Sequence, residues 1–136
     1  MIEASMIDTS SMIDSPLIEA LSRYLDVTAA RHKLIAANLA NVDTPGYRAQ
    51  DLDFRAELAR ADPAGGGAES LRYAANPPVS RPVRGLLMRP DGNNVSVERE
   101  SLLLAETQMK FSLGVQLLKD EFKGVSQAIN SGGSSP

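Results

Sequence analysis

The sequence contains no cysteine and no tryptophan, and aromatic residues make up only 4% of its 136 residues. The lack of cysteine excludes disulfide bonds and thiolate metal sites. With so few aromatic side chains, we do not expect a large globular core. The apolar residues are mainly Leu, Ala, Ile, Val and Met, a composition that favours helix–helix packing over a sheet sandwich.

Neither sign of charge dominates, since 14 basic and 17 acidic residues give a net charge of -3. There is no basic patch typical of nucleic-acid binding and no Lys/Arg run suited to an anionic membrane. No apolar run approaches the ~18 residues of a transmembrane helix. The N-terminal residues lack a basic stretch followed by an apolar one, so we expect no cleavable signal peptide.

Residues that carry catalysis are scarce as well. The single histidine, His32, lies in an apolar helical seam, where a packing or interface role is the better interpretation. No second histidine or cysteine is available to complete a metal site with it. Asp51 and Asp53 suit turn and cap positions better than an acid–base pair. We therefore expect neither an enzyme nor a cofactor or metal.

A long amphipathic helix is predicted to begin at Ser15-Pro16. Serine is a good N-cap, and proline at the first helical position lacks the N–H that would be left unpaired there. Apolar residues then recur at heptad spacing, with polar Thr28 inside the series. A helix of about 26 residues runs ~39 Å and needs a partner along its length. The seam residues are Ile18, Leu21, Leu25, His32, Ile35 and Leu39.

The helix is predicted to end in residues 38–47. Asn41 tolerates the left-handed conformation that closes many helices, and Pro45-Gly46 fits the centre of a type II turn. Two interpretations stay open: a simple helix stop, or a rigid corner that contacts a neighbouring subunit. The candidate contact residues are Asn38, Asn41, Asp43, Thr44, Pro45, Gly46 and Tyr47.

The middle of the chain is predicted to be mostly irregular. Asp53 is placed to cap a short helix that ends near Arg60. Residues 61–95 form a Gly- and Pro-rich excursion, in which residues 86–88 either form a small strand or pack loosely. Residues 91–94 read as a turn.

A second long helix is predicted over residues 96–130, with Ser96 as its cap. Gly114 interrupts it, either to admit a close neighbour or as a tolerated weak point. Residues 131–136 are expected to form a tail. The seam of this helix is Leu104, Phe111, Val115, Leu118, Phe122, Val125 and Ile129.

The first 14 residues repeat a short pattern in which a Met-Ile pair precedes a carboxylate. They read as a mobile arm, or as an arm that orders against a neighbouring subunit with the Met-Ile pairs as anchors. Residues 15–60 then hold the first helix, the turn and a short extension.

The predicted fold is mainly α: two long terminal helices packed as an antiparallel, coiled-coil-like pair, with an irregular middle that has room for a short β element. Two helices do not enclose a core, so apolar surface is left for further subunits. The sequence thus favours a polymer subunit, with a soluble helical-hairpin adaptor that dimerises through its heptads as the alternative.

Residues 37–47 (ANLANVDTPGY) resemble the N-terminal signature of the flagellar rod and hook family of axial proteins. Residues 48–54 (RAQDLDF) and the segment from Asp91 to Glu100 are similar to the short, proximal rod members of that family. The resemblance implies a structural subunit of the basal-body rod, the drive shaft for motility in the periplasm. It also implies export through the flagellar type III apparatus and no cleavable signal. The implied partners are other copies of the chain, other rod proteins (FlgC-like and FliE-like), the membrane ring at the base of the rod and the export apparatus.

Overall fold

The computed structural model describes residues 15–60 and 77–132. Predictions for the N-terminal arm, for residues 61–76 and for residues 133–136 lie outside this part. The elements in chain order are α1 (Pro16–Ala40), β1 (Gln50–Leu52), α2 (Phe54–Ala59), β2 (Ser80–Pro82) and α3 (Val97–Gly132).

Helix α1 begins as the sequence predicts. The side chain of Ser15 accepts a hydrogen bond from the Ile18 N–H at 3.1 Å, and Pro16 occupies the first helical position. The C-terminal end corrects one expectation, because Asn41 has φ −106° and is not left-handed. Its N–H still bonds the carbonyl of Ala37 at 3.1 Å, and its side chain caps the same oxygen at 2.8 Å. Two bonds to one carbonyl end the helix without a left-handed residue.

Helix α3 is capped by Ser96, whose hydroxyl accepts a hydrogen bond from the Arg99 N–H at 3.2 Å. Glu98 and Glu100 lie in the first turn, where the helix dipole favours negative charge. The helix continues to Gly132, two residues beyond the predicted end at Asn130. At 36 residues it is ~54 Å long, against ~37 Å for the 25 residues of α1.

The two long helices pack antiparallel. The end of α1 meets the start of α3 where Asn38 contacts Glu100, and Gly114 faces Tyr24 and Leu25 farther along. An added Cβ on Gly114 would lie 2.8 Å from Leu25 Cδ2 and 2.9 Å from Tyr24 Cδ1. The glycine therefore allows the close approach that was one of its two interpretations. The predicted fold, mainly helical with long terminal helices and an irregular middle, is confirmed.

The short β element is a two-stranded antiparallel sheet in which Gln50 is opposite Pro82 and Leu52 is opposite Ser80. The ladder is extended by a bond from the Val83 N–H to the Ala49 carbonyl at 2.9 Å. The strand therefore lies before residues 86–88, which are irregular, with Leu87 95% exposed.

Helix α2 is capped as predicted, since Asp53 accepts a hydrogen bond from the Ala56 N–H at 3.0 Å. The ring of Phe54 then meets the ring of Tyr24 edge-on, with centroids 5.5 Å apart. Lys110 of α3 places its ammonium 4.3 Å from the centroid of the Phe54 ring, a favourable cation–π distance. These contacts hold the chain that leaves the corner against both long helices.

The buried interior is small and unusually polar. Its apolar part includes Val27, Ile35 and Ala49, each 1% exposed or less. The buried polar side chains are Thr28, Asn38, Glu57, Asn93, Asn94, Glu100 and Thr107. No helix of the described residues is both long and apolar enough to span a membrane. The stability of this fold thus depends on polar groups that must be satisfied.

Candidate assembly site

The turn predicted at Pro45-Gly46 is present. Gly46 has φ +74°, and the Tyr47 N–H donates to the Thr44 carbonyl at 3.2 Å. A positive φ at the third residue and this bond are the features of a type II turn. The chain reverses here and runs back along α1 towards β1.

A second loop, residues 89–95, is distant in sequence and binds this turn through hydrogen bonds. The Gly46 N–H donates to the Asp91 carbonyl at 2.9 Å, and the Asn94 N–H donates to the Tyr47 carbonyl at 3.3 Å. The side-chain amide of Asn93 donates to the carbonyls of both Asn41 and Thr44 at 2.9 Å. We call residues 41–47 and 89–95 together the corner lock.

Glycine is required on both sides of the corner lock. Gly92 has φ +83°, and a Cβ added to it would lie 3.4 Å from the Cα of Gly46. Positive φ is costly for other residues, and the two backbones are already in contact. Arg89 adds a hydrogen bond from its guanidinium to the carbonyl of Val42. The two loops therefore form one rigid unit at the end of the helix pair.

Asn38 joins the corner lock to the helix pair. Its Nδ2 donates to the Gln50 carbonyl at 2.8 Å and to Glu100 Oε2 at 3.0 Å. Its Oδ1 accepts from the Gln50 N–H at 2.9 Å and from the Tyr47 hydroxyl at 3.2 Å. Asn38 is 1% exposed, so it satisfies its donors and acceptors inside the chain.

A charged network continues from Asn38 across the helices. Fully buried Glu100 accepts from Arg99 at 2.7 Å, and Arg99 also donates to Asp51 Oδ2 at 2.8 Å. Arg31 of α1 holds the same carboxylate with two bonds of 3.1 Å. Two arginines thus bind one aspartate from opposite helices, a strong, geometrically specific arrangement.

The network sets the ionisation of Asp51. Burial opposes the charge and tends to raise the pKa of this carboxyl. The hydrogen bonds from Arg31, the Leu52 N–H and Arg99 outweigh burial, so the pKa of Asp51 lies below its ordinary value. Asp51 is therefore held as an anion by its two arginine partners. Among residues 15–60 and 77–132 no group of three His, Asp or Glu side chains is placed to hold a metal.

The predicted signature residues divide into two groups. Asn38, Asn41 and Tyr47 have intrachain partners, with Asn41 Oδ1 accepting from Thr44 Oγ1 at 3.0 Å. The other four signature residues are exposed at the corner: Asp43, Thr44, Pro45 and Gly46. As contacts between subunits, all seven remain predictions.

The α1 seam lies largely against the rest of the chain. Ile18, Leu21 and Ile35 are buried, and Leu25 and Leu39 are half-buried. His32 is exposed at the edge of a groove between the two helices, where it lies near Thr107 and Phe111.

The predicted α3 seam is only partly turned towards α1. Its half-buried members are Leu104, Val115, Leu118 and Val125. Phe111, Phe122 and Ile129 are 46%, 45% and 41% exposed. The side of α3 that packs most closely on α1 instead carries Glu100, Thr107 and Gly114. As contacts outside this chain, the exposed seam residues remain predictions.

The outer side of α3 carries a further apolar row, which we call the outer stripe. It consists of Leu102, Met109, Leu113 and Leu117, which are 70%, 74%, 55% and 45% exposed. Their spacing of seven, four and four places them along one side of the helix. A contiguous apolar row on a protein surface is typical of an interaction site.

Residues that sequence reasoning missed are mainly polar. The Arg31–Asp51–Arg99–Glu100 network and the amide of Asn93 join parts of the chain that are far apart in sequence. Asn93 and Asn94 do follow a glycine turn, which was a signal for side chains that bond backbone. Buried Glu100 had no such signal, because a glutamate in the first turn of a helix is usually exposed to solvent and interacts with the helix dipole.

Two long helices, closed at one end by a polar lock and bearing an exposed apolar stripe, define a helical assembly subunit. Residues 25–48 match the family model described as "Flagella basal body rod protein". The basal body rod protein FlgB of Salmonella typhimurium is 35% identical over 122 residues, covering 79% of this chain and 88% of that protein. FlgB of Borrelia hermsii is 34% identical over 128 residues, covering 82% of this chain and 94% of that protein.

FlgB of Cereibacter sphaeroides (strain ATCC 17029) is 36% identical over 119 residues, covering 79% of this chain and 89% of that protein. The chain belongs to the FlgB family of flagellar basal body rod proteins. It is accordingly a structural rod subunit of the basal body. The relatives are named flagellar basal body rod proteins, and none of those names describes an enzyme.

Proposed function

We propose that this protein is a proximal rod subunit that polymerises through its two terminal helices. The outer stripe on α3 carries the proposal, because its four large apolar residues are 45–74% exposed in the described structure. The rigid corner lock complements it by fixing where each subunit leaves the helical wall. In the drive shaft, packed helices resist shear and the corner sets the position of the next subunit.

The proposed setting is the periplasmic rod, reached through the flagellar export apparatus. The proposed neighbours are further copies of the chain, FlgC-like and FliE-like rod proteins and the membrane ring. We propose no enzymatic activity, and the charged network supports this, since its carboxylates are bound by arginines. The exposed signature residues and the exposed α3 seam are the proposed intersubunit contacts.

The decisive experiment is deletion of the gene in its host, followed by electron microscopy of the cell envelope. We expect no rod beyond the membrane ring and loss of swimming, with both restored by the wild-type gene on a plasmid. Normal flagella in the deletion strain would refute the rod function.

The same strain tests the outer stripe. Replacing Leu113 and Leu117 together by glutamine should abolish swimming. The free energy of unfolding of the purified protein, measured in urea, should change by less than about 0.5 kcal/mol, as for other exposed sites. Lys119→Gln with Lys123→Gln is the matched control on the same helix and should leave swimming intact. Wild-type swimming of the leucine variant would exclude the stripe as an assembly surface.

A further inference from the structure

Three arginines beside the two-stranded sheet have no acidic partner among residues 15–60 and 77–132. Arg48, Arg81 and Arg84 are exposed, and none pairs with a carboxylate in the described part of the chain. Arg48 and Arg84 line one groove, and Arg84 and Arg81 line the next, which shares Pro82. By contrast, Arg31 and Arg99 of the same sheet region are fully engaged with Asp51.

Four apolar residues contribute to the lining of this groove. Its lining includes Pro82, Val83, Leu86 and Met88, together with Arg48, Arg84, Gly85 and Asn94. Met88 is 52% exposed, so the lining is open to a partner. We call this surface the arginine groove. Its chemistry suits a segment in which apolar side chains alternate with carboxylates.

The chain itself contains such a segment. Residues 1–14 hold three triplets, each a Met-Ile pair followed by an acid: Met1-Ile2-Glu3, Met6-Ile7-Asp8 and Met12-Ile13-Asp14. No lysine or arginine precedes Arg23. The triplets supply both the apolar anchors and the charge that the arginine groove lacks.

Length separates the middle and last triplets from the groove of their own chain. Asn38 bonds Gln50 beside the groove, and α1 places Asn38 about 35 Å from Ser15. The eight residues from Ile7 to Ser15 span at most about 26–29 Å when fully extended. The middle triplet is therefore too short to reach the groove of its own chain, and a groove that binds it belongs to another copy.

We infer that the acidic Met-Ile triplets of residues 1–14 dock in the arginine groove of a neighbouring copy of the same chain. The inference rests on the proposed self-assembling rod subunit and names one of its contacts. The two surfaces differ, so the contact is head-to-tail and does not close, which is the geometry of a helical polymer. Each subunit then extends an arm to the next.

The lack of native cysteine allows a clean cross-linking test with the full-length protein. One sample carries Ile7→Cys and the other carries Met88→Cys, and the two are mixed under mild oxidation. Leu87→Cys replaces Met88→Cys as the matched control, since Leu87 is 95% exposed and does not line the groove. We expect the Ile7–Met88 disulfide dimer to exceed the Ile7–Leu87 dimer about tenfold.

Charge reversal then tests recognition. Arg81→Glu with Arg84→Glu on the Met88→Cys chain should lower the dimer yield about tenfold, because two ion pairs become repulsions. Glu3→Lys with Asp8→Lys on the other chain should restore it. Equal yields at Met88 and Leu87, a yield unaffected by reversal, or a disulfide within one chain of the double-cysteine protein would each overturn the inference.

The same cysteine pair in the complemented deletion strain separates this contact from the rod function. Swimming cells whose rods contain the Ile7–Met88 disulfide support both the docking contact and the rod function. Swimming cells in which the two cysteines stay reduced under oxidation overturn the docking and leave the rod function standing. A deletion strain that swims without the gene overturns the rod function, whereas the mixing test still reports on the docking.

Discussion

At the scale of single residues, the corner depends on the conformation of Gly46. An added Cβ at this position meets nothing within 4 Å, so a substitution is opposed by the backbone alone. Gly46→Val should lower the free energy of unfolding by about 1–3 kcal/mol, since a β-branched residue resists positive φ. Urea unfolding of the purified protein measures the loss, and swimming of the complemented deletion strain reports its effect on assembly.

Gly46→Asn is the control for this substitution, because asparagine adopts positive φ more readily than valine. It should retain most of the stability and part of the swimming. Wild-type stability and swimming in the valine variant would mean that the turn is not of type II in the working protein.

The Asp51 carboxylate predicts an acid-sensitive contribution to stability. Its pKa is lower in the folded chain than the ordinary value of about 3.9, so the unfolded chain binds the proton more readily. The contribution is complete above that ordinary value and is lost as the pH falls through the folded pKa. Asp51→Asn should cost about 1–3 kcal/mol at pH 7, and the cost should shrink in strong acid.

Urea unfolding of wild type and Asp51→Asn at neutral pH, pH 4 and pH 2.5 measures this loss. Exposed Asp43 supplies the comparison, because Asp43→Asn should stay within about 0.5 kcal/mol of wild type. If Asp51→Asn lowers the free energy of unfolding equally at all three pH values, the two arginine contacts contribute nothing through charge.

At the scale of elements, two glycines of α3 have opposite roles. Gly114 lies where a Cβ would come within 2.8 Å of α1, whereas a Cβ on Gly124 would meet nothing within 4 Å. Gly124→Ala should therefore stabilise the protein by about 0.5–1 kcal/mol through helix propensity. Gly114→Ala should lose that gain and destabilise the protein, because overpacking costs about 1–3 kcal/mol.

Thermal unfolding of the two alanine variants compares the same change on the same helix. A gain of equal size at both positions would mean that the helices are not in close contact at Gly114. Circular dichroism at low temperature provides the control that both variants remain helical.

The elements also show how far the sequence could predict this fold. Local signals succeeded: Ser15-Pro16 starts α1, Asp53 caps α2, and Pro45-Gly46 makes the turn, since each depends on neighbours within four residues. The apolar series of α3 was less reliable. It emphasised large residues such as Phe111, whereas close packing occurs through small or polar ones.

The polar part of the candidate site was beyond local reasoning. Asn38 and Glu100 are 62 residues apart, and Asn93 bonds carbonyls 49 and 52 residues earlier. Such pairs have no periodicity and no fixed spacing, and a buried glutamate looks like an exposed one until its partner is known. The resemblance of residues 37–47 identified the family without predicting any of these contacts.

At the scale of the whole molecule, the fold is expected to be marginal alone. The core is small, and α3 extends about ten residues past the start of α1, given that Gly114 faces Tyr24 and Leu25. The isolated protein should be monomeric and less helical than the structure, and it should gain helix on assembly. Circular dichroism and sedimentation over a concentration series measure both properties. A stable, fully helical dimer would favour the adaptor alternative.

The antiparallel pairing of α1 with α3 also bears on the order in which the chain folds. The Asn38–Glu100 bond closes a loop of 62 residues, whose closure costs roughly 3–4 kcal/mol of chain entropy before any contact repays it. Among the described elements, α3 is the helix of comparable length that packs against α1. A chain passing through a narrow conduit with its N-terminus first would therefore stay unfolded until nearly all of it had emerged, and α3 would then act as the trigger that completes folding.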